Sequence, residues 1–198
     1  CPTILCGMGM TLVISTGGID ISVGSLMALS GVIMAKCMER IGIFPGILLG
    51  IGFAVLIGMF TGIMVGKLKL QAMVITLGLM LGVRGAAQVL CDGRDIYFNT
   101  LGERGELLSD FGTLKFFNLI PVQLLPIFIS VLLIWILIKK TTLGVQIQAV
   151  GDSIKSSNLV GIHTNRVFVF VYGLSGFFAA IAGIMQASKV SVAAGSSL

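Results

Sequence analysis

Long apolar runs separated by short polar islands organise this chain. Six segments read as helices: residues 3 to 18, 22 to 38, 45 to 66, 70 to 90, 120 to 138 and 166 to 188. None keeps the strict alternation of a barrel strand, and most approach the roughly 20 residues a helix needs to cross a bilayer. Polar islands from Glu39 to Phe44, Cys91 to Leu119 and Lys139 to Asn165 mark the connections. The pattern predicts an all-α polytopic membrane protein, one transmembrane domain over residues 1 to 198 surrounded by lipid bilayer. Pro45 fits the first turn of the third helix, where its missing N–H costs nothing.

Within the third helix, small residues recur at every fourth position: Gly42, Gly46, Gly50, Ala54, Gly58, Gly62 and Gly66. Between membrane helices, small residues that permit close backbone approach mark packed interfaces. A four-residue step slips by about 40° against the helical turn. The ridge therefore winds around the helix and is expected to meet more than one neighbour. Gly78 and Gly82 repeat the spacing in the next helix.

Composition agrees with the pattern. Only 11% of residues are charged, against about a quarter in a soluble domain, and the mean hydropathy is +1.08. The net charge of +5 is spread over the connections, which argues against a nucleic-acid partner. With Lys67, Lys69, Lys139, Lys140, Lys155 and Arg166 on one side, Lys36, Arg40, Arg94, Arg104, Lys115 and Lys189 fall on the other. The positive-inside rule counts these residues, and equal numbers leave the orientation open. Cys1, Cys6, Cys37 and Cys91 have no metal-ligand spacing and suggest no disulfide framework. No basic region or cleavage site marks the first run as a signal peptide, and a chain starting at Cys1 is expected to be part of a longer one.

Candidate chemistry begins with "STGGIDISVGS", Ser15 to Ser25, which interrupts two apolar runs. A carboxylate at membrane depth, Asp20, is costly unless hydrated or paired, so it marks a candidate site. Gly17 and Gly18 let the backbone leave the helix, while Ser22 and Ser25 supply hydroxyls. Two readings stay open: a tight turn with Asp20 capping the next helix, or a place on a solute path. Arg84, the basic residue well inside a span, is either a snorkelling side chain or a pore-lining one.

The segment from Lys139 to Asn165 is polar in a different way. Asp152 can cap a short helix beginning at Ser153, and Gly161 can end it. Ile154, Leu159 and Val160 are apolar, while Ser156, Ser157 and Asn158 are polar. Such a helix either lies on the membrane surface or docks on a partner. His163 is the single histidine, so no metal site is expected on it. "GLSG", Gly173 to Gly176, matches the serine motif of intramembrane rhomboid proteases. A serine nucleophile needs a base within hydrogen-bond reach, and His163 lies far off in the preceding loop. No GxxxxGK[ST] phosphate loop is present, so nucleotide hydrolysis would require another chain.

Taken in order, three stretches resemble one family. "GMTLVISTGGIDISVGS", "VITLGLMLGVRGAAQVL" and "TTLGVQIQAVGDSIKSSNLVGIHTNRV" are similar to motifs of ABC-type sugar importer permeases, the ribose, galactofuranose and autoinducer-2 group. The resemblance implies a ten-helix permease of the vitamin B12 importer type, with these six spans as helices two to seven. It implies that residues 139 to 165 form a cytoplasmic coupling loop, with Gly151, Asp152, Ile154, Ser156, Ser157, Leu159 and Gly161 facing an ATPase. Asp152 stands where the family's stretch has a second glycine, and Ser156 and Ser157 where alanines are common. The implied partners are a second permease subunit, two ATPase domains and a periplasmic sugar-binding protein. No cofactor is expected, ATP being bound by the partner, and the implied location is a bacterial inner membrane. An amino-acid permease of the same architecture, an intramembrane serine protease and a passive channel are the alternatives. "GRDIYFNT" has a faint likeness to galactofuranose-type permeases that does not name the sugar.

Overall fold

The computed structural model describes residues 2–113, 115–116 and 120–195, leaving aside the side chains of 103, 110–113, 115–116 and 120. Cys1 therefore lies outside the described residues, as do the side chains of Glu103, Asp110 and Lys115. Six long helices answer the six apolar segments: α1 (Pro2–Ser15), α2 (Val23–Ile41), α3 (Ile43–Gly66), α4 (Ala72–Leu90), α6 (Leu124–Lys140) and α9 (Thr164–Val190). Between them lie α5 (Glu103–Thr113), α7 (Thr142–Asp152) and α8 (Ile154–Leu159).

Length and apolarity separate these helices. α3, α4 and α9 are each long and apolar enough to cross a membrane, and α6 with α7 makes a fourth candidate bent by 75°. α1 has 14 residues, roughly 21 Å, which is short of the hydrocarbon thickness of about 30 Å. α2 has 19 residues but carries Lys36, Glu39 and Arg40 near its end. The polytopic all-α architecture stands, but α1 and α2 are not simple full-length spans.

α9 is the centre of the bundle, packed against α1, α2 and α3. Its small residues permit this. A Cβ on Gly176 would fall on the carbonyl oxygen of Ala54, and one on Gly183 on that of Met27. Ser30 Oγ donates to Ala180 O at 3.3 Å, joining α2 to α9. Leu5, Leu12, Val13, Val171 and Phe178 fill the core between α1 and α9.

The four-residue ridge of α3 winds as the helical slip requires. At its start it meets α2: a Cβ on Gly46 would lie 2.8 Å from Met34 O, and one on Gly50 2.7 Å from Ser30 O. Further along it meets α9: a Cβ on Gly58 would fall on Tyr172 O, and one on Gly62 would lie 2.7 Å from Phe168 O. The repeat in α4 behaves differently. Cβ atoms on Gly78 and Gly82 would meet nothing within 4 Å among the described residues. Spacing alone does not tell which small residues are covered.

The connection after α4 is more structured than its polar composition suggested. β1 (Ile96–Tyr97) pairs antiparallel with β4 (Val192–Ala193), and a 3-10 turn at Phe98–Leu101 leads into α5. β2 (Lys115–Phe116) pairs with β3 (Ile120–Pro121). Lys36 bridges to Asp92 at 3.2 Å, and Arg104 donates to Met38 O at 3.2 Å. These contacts gather one of the two predicted charge groups at one end of the bundle. α7, α8 and the α3–α4 turn lie at the other.

Candidate functional site

The polar break after α1 folds back along α9. Gly17 has φ +75, the left-handed region that favours glycine, and α1 stops there. Gly18 serves a different need: a Cβ on it would lie 2.7 Å from Tyr172 Oη. The Tyr172 hydroxyl donates to Ile19 O at 3.4 Å. Residues 16 to 22 then run without helix until α2 begins at Val23.

Asp20 is 2% exposed and fully engaged. Its Oδ1 accepts from Ser22 N at 3.0 Å and from Ser22 Oγ at 2.6 Å. Its Oδ2 accepts from Ser175 Oγ at 2.9 Å. The expected cap is therefore corrected. Ser22 occupies the N-cap position of α2 without a side-chain cap bond, and Asp20 closes an Asx turn onto it. The second carboxylate oxygen is spent on α9, so the residue ties the turn to the central helix. Ser25 Oγ donates to Ser22 O at 2.8 Å, steadying the start of α2.

Depth follows from α9. Ser175 lies roughly 16 Å along a helix roughly 40 Å long, at 1.5 Å per residue. The non-helical stretch is thus near the middle of the longest apolar helix. Backbone of this kind is tolerated at such depth only against protein or a wet cavity. Thr16, Gly18, Asp20 and Ser22 are buried, whereas Gly17 and Ile19 are exposed on the other side. The stretch has one face against α9 and one face open.

The second group of candidates sits at the α8 end. The predicted polar loop is mostly helical: Thr141 caps α7, its Oγ1 accepting from Gly144 N at 3.4 Å. Asp152 is corrected here too. It is the last residue of α7, and Ser153 caps α8, its Oγ accepting from Ser156 N at 3.2 Å. The extended backbone at Ser153 separates the two helices, and only a residue at that break can reach the free N–H groups. Gly161, at φ +83, ends α8 as expected.

α8 has two faces. Ser157 is buried, and Asn158 Oδ1 accepts from Thr164 Oγ1 at 3.1 Å, holding α8 to α9. Leu159 and Val160 are 82% and 75% exposed, with Ile154 and Ser156 exposed beside them. Gly151 joins this end to the polar break, since a Cβ on it would fall on the carbonyl oxygen of Ser15. A cleft of about 920 Å³ lies between them, lined by Gly17, Gly18, Ile154 and Gly161 among others. Two separately predicted groups are thus neighbours. Arg84 is placed elsewhere, half-buried in α4, a helix that packs on α2 through Val83 and Ala87.

Ser175 and Tyr172 are residues whose role sequence reasoning missed. Ser175 donates to Asp20, while His163 is the N-cap residue of α9, roughly 18 Å away along the helix. No base faces this serine from His163, which removes the protease constellation. The available signal was the hydroxyl pair in "YGLSG", at a depth where hydroxyls need partners. Among the described residues no cluster of His, Cys, Asp or Glu could hold a metal.

Comparison with known proteins agrees with this architecture. The chain is 40% identical over 190 residues to a galactofuranose transporter permease of Escherichia coli, covering 96% of this chain and 54% of that protein. It is 37% identical to a fructose import permease of Bifidobacterium longum, covering 92% and 51%. It is 36% identical to a ribose import permease of Haemophilus influenzae, covering 94% and 57%. The chain thus spans about half the length of these curated relatives. No solved structure matches it significantly. Residues 1–197 match the family described as branched-chain amino acid transport system / permease component, and the chain belongs to that family of multi-pass membrane permeases.

Proposed function

We propose that this chain is part of the membrane subunit of a bacterial ATP-driven importer that carries a sugar across the inner membrane. The observation that carries the reading is its likeness, over more than nine-tenths of its length, to permeases named for galactofuranose, fructose and ribose. The chain itself transports and does not catalyse; a separate ATPase supplies the energy. The α8 end faces the cytoplasm, and the exposed Ile154, Leu159 and Val160 dock the ATPase there. A second permease subunit and a periplasmic sugar-binding protein complete the importer.

A mechanical route supports this assignment. Movement of α8 by the ATPase reaches Gly151 at the end of α7, which rests on Ser15. Ser15 leads into the non-helical stretch, and Asp20 links that stretch to Ser175 in the central helix. Rigid helices joined by such contacts have the character of a hinge between alternate arrangements. Asp20 holds the hinge, and the open face at Gly17 and Ile19 borders the solute path. A neutral sugar needs hydroxyl and backbone partners there, with no charged cage.

The test is uptake by the full-length permease in proteoliposomes with its ATPase and binding protein. ATP-dependent accumulation of a labelled sugar is expected. The family description favours a second reading, transport of branched-chain amino acids. Accumulation of leucine without any sugar would overturn the first in favour of it.

A further inference from the structure

The cleft at the α8 end shares Gly17 with the open face of the polar break and Ile154 with the docking segment, but it also carries cations that neither role requires. Its rim carries Lys69 from the α3–α4 turn and His163 and Arg166 from the start of α9. Among the described residues no Asp or Glu lines this cleft of about 920 Å³. Val65, Leu70 and Phe168 add apolar surface to the same wall. Lys69 is held in the turn with left-handed backbone, φ 53. The long α9 begins at this rim, and its N-terminus adds partial positive charge.

We propose that this cleft binds the phosphate-bearing headgroup of an anionic phospholipid. The position suits that ligand: α3 ends, and α4 and α9 begin, around the cleft, so it opens at the depth where spanning helices leave the hydrocarbon. Basic pockets between membrane helices on such a face recognise anionic headgroups. An acidic segment of a protein partner would complement the cations but has no need of the apolar wall. A phospholipid brings both parts, phosphate to Lys69 and Arg166 and acyl chain to Val65, Leu70 and Phe168. Asn158 and Gly161 of the docking segment also line the cleft, so the bound lipid steadies α8 against α9. The inference rests on the cytoplasmic placement of the α8 end proposed above, and stands whichever solute is moved.

Native mass spectrometry of the intact full-length permease tests it, with phosphatidylglycerol or phosphatidylcholine added. The wild-type protein is expected to retain phosphatidylglycerol preferentially. The double variant Lys69→Gln/Arg166→Gln should weaken that binding by about fivefold per cation, roughly twenty-fivefold together. Lys69→Arg/Arg166→Lys, which keeps both charges, should retain it, as should the control Lys139→Gln/Lys140→Gln at the end of α6. An unchanged melting temperature without added lipid shows that the neutralised variant folds. Equal retention by wild type and neutralised variant overturns the proposal. So does equally tight binding of glycerol phosphate, which would mean a free-anion site. Loss of ATPase association with lipid binding intact would assign the cleft to a protein partner instead.

Discussion

Ser175 donates its hydroxyl hydrogen to Asp20 across 155 residues of sequence, in the middle of the bundle. One carboxylate thereby closes a local turn through Ser22 and fastens it to α9 through Ser175. Replacing Asp20 by Ala leaves Ser22 N, Ser22 Oγ and Ser175 Oγ without their acceptor. Each unsatisfied buried group costs about 1–3 kcal/mol, so the folded yield should fall sharply. Asp20→Asn keeps an acceptor for Ser22 N and an amide for Ser175. Its yield in size-exclusion chromatography should stay near wild type. Normal yield of Asp20→Ala with abolished uptake would show instead that the carboxylate serves the solute.

The ridge of α3 makes a positional prediction. Gly58→Ala places a methyl on the Tyr172 carbonyl, and overpacking of this kind costs about 1–3 kcal/mol. A lowered melting temperature of the purified protein is expected. Gly78→Ala meets open space and gains helix propensity of about 0.5–1 kcal/mol, so its melting temperature should not drop.

Gly151 separates docking from coupling. Gly151→Val pushes α7 off the Ser15 carbonyl while leaving the exposed side of α8 intact. ATPase association by pull-down should persist, and sugar uptake per ATP hydrolysed should fall several-fold. Retained stoichiometry would show that force reaches the bundle by another route.

Leu159→Asp and Ile154→Asp make the complementary case. Both side chains are exposed on α8, so folding should be unaffected. ATPase association should be lost, and ATP-dependent uptake that survives the pair would remove α8 from the docking surface.

Cys91, just beyond α4, supplies a pH-dependent test. Burial, with Asp95 nearby, pushes its thiol pKa up, against smaller opposing effects of the Gly195 backbone N–H and Lys36. The unfolded thiol releases its proton first, near its ordinary value of about 8.5. The folded state then binds more protons, so stability falls as pH rises from there toward the folded value. Melting curves between pH 7 and pH 10, as roughly spanned by that range, should show this slope reduced in Cys91→Ala.

The six apolar helices were legible because lipid imposes one rule, an unbroken run of apolar residues, that is written locally. The winding ridge from Gly46 to Gly66 was legible for the same reason, since its drift is fixed by the helical period. The short helix ending at Gly161 followed from cap chemistry, but its cap moved from the expected Asp152 to Ser153, and its first residue from Ser153 to Ile154. Cap choice depends on where the backbone breaks, and the sequence offers adjacent polar candidates. The bond from Ser175 to Asp20 was not legible, because that serine is far along the chain and drew notice only through its match to a protease motif.

By itself, then, the order of residues determined the membrane character, the helices, the polar break and the short helix before Gly161, all set by short-range rules of hydropathy and capping. Only the tertiary structure decided which helix lies at the centre and which glycine repeat is covered. It also decided that Gly151 touches Ser15 and that Asp20 faces α9 with its hydrogen bonds filled. Those are questions of which surfaces meet, and small residues and hydroxyls have the same local preferences whether or not a partner arrives.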